Sequence, residues 1–441
     1  VSGRFVRASK YRHVYGQPTK RDLCYDNLHI SNNAWDSNLI NVNPKYLSVN
    51  WEASGGGAFA VIPLEERGKA PGIIPLFRGH TATVLDTDWN PFDDDVVASG
   101  SDDGKIGIWR VPDGFSIMVN PKEVTDVSPQ TMLSGHKRKV GHLKFHPVAA
   151  NVLVSSSADY TVQLWDIEQG KSKITLAHKD LVTGLDFNFD GSLLATTCRD
   201  KKIRIWDPRS GEVAVEGPGH SGAKISRLVW MGEHNRIATT GFSRMSDRQL
   251  AIWDASNIEA GPINGFQQLD SSAGVCMPFY DSGTDCLYLA GKGDGNIRYY
   301  EFEASTDSLY DLSEYKSTEP QRGIAVMPKR AIDVHANEVV RMYKTANDSM
   351  IEPISFIVPR RAETFQDDIY PDAPAGEPAL TADEWFSGKS SNPKMISLKD
   401  VFEGNAPNVS VAIVSENKHE PKAETKVEQK VEQKVEQKVE Q

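Results

Sequence analysis

Cysteine is scarce here: 441 residues hold only Cys24, Cys198, Cys276 and Cys286. None stands in a Cys-x-x-Cys pair or beside a histidine cluster, so no zinc site, other metal site or disulfide framework is expected, and the thiols read as reduced and cytoplasmic. Long apolar runs are missing too. No stretch approaches the ~18 residues that cross a bilayer, and no basic-then-apolar leader opens the chain, so neither secretion nor a membrane span is expected. Val1 stands where a Met would open a whole chain, the mark of a fragment or a processed form. Acid is absent from residues 1–21, which carry Arg4, Arg7, Lys10, Arg12, Lys20 and Arg21 in a chain of net charge −11. A basic edge on an acidic protein suits an acidic protein surface and not nucleic acid.

What is abundant is repetition. Four tryptophans follow an aspartate by six residues and a hydroxyl residue by ten: Ser99/Asp103/Trp109, Ser155/Asp159/Trp165, Thr196/Asp200/Trp206 and Ser243/Asp247/Trp253. His80, His136, His178 and His220 precede them by about thirty residues. Indole can only donate, carboxylate only accept, and imidazole and hydroxyl do both, so each set can close a buried hydrogen-bond chain that pins one strand register. The sets recur at roughly 40 to 56 residues, and Gly-His and Trp-Asp at a period near 40 to 45 are the signature of a four-stranded propeller blade.

The expected fold is therefore all-β, a WD-repeat propeller over residues 1–358. A fifth, worn repeat ends at Tyr299-Tyr300, with Asp294 at the turn and Ala290 in place of the hydroxyl. Strands around Gly55-Gly56-Gly57 and short apolar runs after residue 323 bring the count to seven blades, with six the alternative. Phe5 to Val14 is the natural closing strand, since propellers close by joining their two termini in one sheet.

Residues 359–402 are too rich in proline for a central strand, yet Phe365, Tyr370, Trp385, Phe386 and Phe402 need cover, which predicts an arm packed along the propeller. A short helix is predicted from Thr381, with Asp383 and Glu384 in its first turn. Residues 403–441 read as disordered or marginally helical. The four Lys-Val-Glu-Gln repeats from Lys426 to Gln441 put like charges at i,i+4 and drift roughly 40° per repeat, so no coiled-coil seam forms. Self-association is left open on that ground.

Ser, His and Asp recurring together resemble a hydrolase triad, but they recur in every blade with their own tryptophan, and no enzyme is expected. Gly291 to Gly295 around Lys292 lacks the spacing of a phosphate loop and occupies a hairpin turn, so no cofactor is expected either.

Between the repeats, several stretches resemble the coronin family. They are FVRASKYRHVYGQ from Phe5, EASGGGAF from Glu52, TGFSRMSDRQL from Thr240, GKGDGNIRY from Gly291, PQRG from Pro320 and FQDDIYPD from Phe365. The resemblance covers residues 2 to 402. It implies a seven-bladed propeller that binds the sides of actin filaments in the cytoplasm, at cortical actin patches, with a C-terminal extension packed beneath it. The family also acts on the actin-related-protein complex that nucleates branched actin, usually through a coiled coil that is not visible here. The candidate filament-binding residues are Arg7, Lys10, Arg12, Lys20, Arg21, Lys137, Arg138, Lys139, Lys201 and Lys202. His29 joins them, standing where the family commonly carries an arginine; a histidine is mostly neutral at pH 7. The N-terminal cations and the two lysine clusters are expected to share one surface. The alternative reading is a general WD-repeat scaffold with a partner other than actin.

Overall fold

The computed structural model describes residues 7–414. Six four-stranded antiparallel sheets follow one another along the chain, and a seventh joins its two ends. The third blade shows the pattern: Val140–Phe145, Val152–Ser157, Thr161–Asp166 and Lys171–Ala177, each strand hydrogen-bonded to the next. Its second strand, VLVSSS, is buried along its whole length, whereas the outermost, KSKITLA, is mostly exposed. Small and β-branched residues inside and lysines outside are what a radially arranged sheet demands, since its inner strands are covered by neighbouring blades. Trp109, Trp165 and Trp253 are fully buried between blades.

The seventh blade takes Ile324–Val326, Glu338–Ala346 and Met350–Ile357 from one end of the chain and Tyr15–Pro18 from the other. Tyr15 pairs with Ile357 and Pro18 with Ile354, which closes the ring. The closing strand is thus Tyr15–Pro18 and not the expected Phe5–Val14. Residues 7–14 form no strand, Tyr11 and Val14 sink into the core of blades six and seven, and Phe5 and Val6 lie outside the described residues. Pro18 is tolerated because it ends an edge strand.

Beyond the last blade the chain crosses the underside as an arm. The helix Ala382–Phe386 begins where expected, with a capping box in which Thr381 Oγ1 accepts the Glu384 N–H and Glu384 accepts the Thr381 N–H. Trp385 anchors it: the ring is fully buried, packs 4.7 Å from His146, and donates its N–H to the Gly191 carbonyl at 3.2 Å. Ala373–Pro374, Lys394–Ile396 and Val409–Val411 then form a small antiparallel sheet. Disorder expected from Glu403 onward is corrected by this last strand, whose valines favour extended backbone. The Lys-Val-Glu-Gln repeats lie outside the described residues.

Candidate filament interface

Two of the repeated polar sets have the predicted geometry. In blade two the Trp109 indole donates to Ser99 Oγ at 2.8 Å, Ser99 donates to His80 Nε2 at 2.6 Å, and His80 Nδ1 donates to Asp103 at 3.0 Å. Blade three repeats this with Trp165, Ser155, His136 and Asp159 at 2.8, 2.7 and 3.0 Å. Burial works against the Asp159 carboxylate, but the Thr161 hydroxyl, the Lys137 N–H and His136 hold its pKa down to about 2. These are triad distances without a usable nucleophile: Ser99 and Ser155 are fully buried and already receive an indole N–H.

The other two sets depart from expectation. In blade four Trp206 and His178 share Thr196 Oγ1, but Asp200 is taken by Arg204, and His178 donates instead to the Leu176 carbonyl at 3.2 Å. Arg204 sits two residues before the tryptophan, opposite Thr196, within reach of the hairpin carboxylate. In blade five neither Ser243 nor Asp247 belongs to the chain. His220 Nε2 and the Trp253 indole meet at Thr239 Oγ1, 2.8 and 2.7 Å away, and His220 Nδ1 pairs with Gln249 at 3.0 Å. Cross-strand register explains the correction. Ser99, Ser155, Thr196 and Thr239 each lie opposite the residue two before their tryptophan, but blade five has a longer hairpin, so its hydroxyl stands fourteen residues back. By the same register blade six places Leu289, not Ala290, opposite Arg298.

The candidate cations divide into three places. Lys137 and Arg138 are exposed on the Gly-His loop of blade three, at the end of the propeller where all the tetrad loops emerge, and Lys139 lies 4.9 Å over the ring of Trp35. Lys201 belongs to this end, its ammonium donating to the Ser221 carbonyl, while Lys202 pairs with Glu216 at 3.3 Å. Lys201 adopts φ 67°, where the blade-two hairpin has Gly104 at φ 80°. His29 is exposed at the same end, stacked on Trp51 with ring centroids 5.5 Å apart.

Lys20 and Arg21 are exposed on the outer edge, beside the closing strand. Sequence reasoning missed their companions Arg67 and Lys69: Arg67 donates to the Leu23 carbonyl at 3.3 Å, and Gly68–Lys69 pairs with Tyr25–Asp26. No local signal could have found a pairing across forty residues of chain. Arg7 and Lys10 lie elsewhere again, towards the arm. Arg7 is bound to Glu301, at the opposite end of blade six from its Lys292 hairpin, and stacks 4.1 Å over Tyr310; Lys10 donates to the Asp368 carbonyl. Arg12 is half-buried. The single surface expected for all these cations is therefore corrected: Arg7 and Lys10 sit at the end facing away from the tetrad loops.

A feature without sequence warning lies at the centre. Residues 31–38 cross the channel mouth at the tetrad end, with Trp35 donating to Gly141 of blade three and Arg322 of blade seven donating to Ser31. Asp36 is gripped by Arg227 of blade five, at 2.8 and 2.9 Å, and by Lys292 of blade six at 2.8 Å. Burial opposes its charge, yet Arg227 and Lys292 hold its carboxyl far below the usual range, while burial draws Lys292 down to about 8. Lys292, at the glycine-rich turn, thus faces inward and clamps a plug. Beneath it is a cavity of about 620 Å³. Its carboxylates staple adjacent blades: Asp86 and Asp88 accept the Leu143 and Phe145 N–H groups, and Asp186 accepts that of Trp230.

Among the described residues no three metal-ligating side chains converge, and no helix is long and apolar enough to cross a membrane. The chain is thus a WD-repeat β-propeller with an arm folded on its underside. Family models agree, with the WD domain, G-beta repeat matching residues 73–110, 127–166 and 170–207, a type of WD40 repeat at 351–393 and a domain of unknown function, DUF1899, at 4–69. A coronin-like protein of Saccharomyces cerevisiae is 56% identical over 437 residues, 96% of this chain and 67% of that one. A coronin-like protein of Schizosaccharomyces pombe is 60% identical over 403 residues, 91% and 66% of the two chains. Coronin-2A of Homo sapiens is 44% identical across 89% of this chain and 74% of its own. The WD40 domain of Toxoplasma gondii coronin superimposes with a TM-score of 0.81 at 31% identity, covering 88% of this chain and 97% of that one. The chain belongs to the coronin family, and it spans about two thirds of the length of its two yeast relatives.

Proposed function

We propose that this coronin binds actin filaments through the cations at the tetrad end and along the adjoining outer edge. The observation that carries the reading is a local excess of exposed positive charge on a chain of net charge −11. Lys105, Lys137 and Arg138 are exposed, with Gly104 packed against the Arg138 carbonyl, and none forms an ion pair among the described residues. Lys20, Arg21, Arg67 and Lys69 add a second cluster. Attraction to an acidic polymer is a summed field that weakens with salt. Organisation of cortical actin in the cytoplasm, and action on the complex that nucleates branched filaments, belong to the same proposal.

Co-sedimentation of the full chain with actin filaments across a salt series tests it. Saturable binding that falls with salt is expected, and Lys137→Glu with Arg138→Glu should weaken it at least tenfold with the melting temperature unchanged. Binding that ignores both salt and these substitutions would remove the basic face from the account and leave a propeller scaffold for another partner.

A further inference from the structure

The densest exposed apolar stripe on the described surface lies on the arm and not on the propeller. Val409 is 39% exposed, Val411 49% and Ile413 92%, and residues two apart on a strand share one face. Among the described residues Val409–Val411 is the last strand of its sheet, paired only with Lys394–Ile396. The Ala412 N–H and carbonyl turn inward, to the Pro393 carbonyl and the Asn392 amide. Strand alternation therefore turns the N–H and C=O of Val411 and Ile413 outward, where nothing pairs with them among the described residues. Natural edges of this kind are usually blunted by charge, proline or a bulge. This one has none: Gly404 to Val414 contains no charged residue, and Val409 to Val414 no proline or glycine.

We propose that this edge pairs with the same edge of a second copy of the chain, antiparallel and centred on Val411. The sequence is self-complementary about that point. Val411 faces Val411, Val409 faces Ile413, and Ser410 faces Ala412, so all three exposed apolar side chains meet their counterparts on one face while each strand donates to and accepts from the other. A two-fold axis makes such a contact closed and isologous. Charge favours this occupant: an uncharged seam adds no local repulsion between two copies of an acidic chain, and residues 404–414 are the neutral part of the arm. A seam of five residues from each chain, 409 to 413, buries far less than the roughly 1,200 Å² of a standard interface, so the dimer is weak, forming on the order of 10–100 µM. That range is reached when chains are concentrated along a polymer, where the seam would join two propellers.

Sedimentation velocity of the full chain between about 1 and 200 µM reads the seam directly. The weight-average mass should climb towards twice the monomer value, and Val411→Lys, at a half-exposed position that leaves the melting temperature unchanged, should hold it at the monomer. Register is read by cross-linking, since the four native cysteines are all buried. Val411→Cys should oxidise to a disulfide dimer, because opposed residues in such a pair lie about 5.5 Å apart at Cα, inside the disulfide range. Ser410→Cys should not, since position 410 faces 412. A chain monomeric at every concentration, a Val411→Lys variant that still dimerises, or equal cross-linking at 410 and 411 would each overturn the proposal.

Discussion

Removing the tetrad carboxylate of blade three and its sequence counterpart in blade five should give opposite results. Asp159 accepts from His136 Nδ1 at 3.0 Å, the Lys137 N–H at 3.0 Å, the Thr161 N–H at 2.9 Å and the Thr161 hydroxyl at 2.6 Å. The His136 side chain is fully enclosed, whereas the other donors lie near the rim and can turn to water. Asp159→Ala therefore orphans one buried donor outright, a loss of about 1–3 kcal/mol. Thr161 Oγ1, already 3.2 Å from His136 Nδ1, offers a partial substitute and keeps the cost inside that range. Among the described residues Asp247 makes only backbone hydrogen bonds, its N–H donating to Ser243 Oγ and its carbonyl accepting the Ser243 N–H, and alanine retains both groups. Asp247→Ala should stay within about 0.5 kcal/mol of the parent. Thr239→Val should cost about 1–3 kcal/mol, because it leaves both the Trp253 indole and His220 without the hydroxyl they share. Urea unfolding resolves these differences as shifts in midpoint at constant slope. An Asp247→Ala variant as costly as Asp159→Ala would refute this, since Asp247 would then belong to the buried chain of blade five.

Two further outcomes follow from burial. Desolvation pushes His142, His146, His178 and His220 down to about 4, so each stays neutral in the fold while the unfolded chain takes up a proton near pH 6.5. Their contribution is complete above pH 6.5 and is lost as pH falls towards 4. Asp86 and Asp88 act in the opposite sense, since burial raises them to about 7 and about 6 and the fold holds protons there that the unfolded chain has released. Burial lowers His136 in the same sense and raises Glu352 with the two aspartates, so five imidazoles against three carboxyls give a net loss of stability between pH 6.5 and 4, and urea midpoints that rise on acidification over that window would refute it. Trp385→Ala should cost about 3–5 kcal/mol of arm docking, from the loss of a fully buried indole. Limited proteolysis should then cut rapidly near Ser387–Asn392 while the propeller remains intact; an arm that stays protected would mean its other anchors suffice.

Much of the architecture was legible because a propeller repeats its chemistry locally. A tryptophan, a hydroxyl and a carboxylate at constant spacing mark a hairpin whose length sets that spacing, and this holds in blades two and three without knowledge of any other blade. The Thr381 capping box is equally local, made by residues three apart. The same logic misleads where a hairpin changes length, as between Phe242 and Arg248, because the conserved relation is a cross-strand register and not a count along the chain.

The sequence by itself determined the repeat, the fold class and the short helix of the arm, since each is written in local spacings, and it pointed to the family through the stretches between the repeats that resemble it. Only the tertiary structure decided which strand closes the ring, that Arg7 and Lys10 lie away from Lys137 and Arg138, and that Arg67 joins Lys20 and Arg21. It also decided that Asp36 is held between Arg227 and Lys292 over the channel. Those facts join residues up to hundreds of positions apart, through closure of the ring, and no local pattern encodes which blade edge a distant charge will meet.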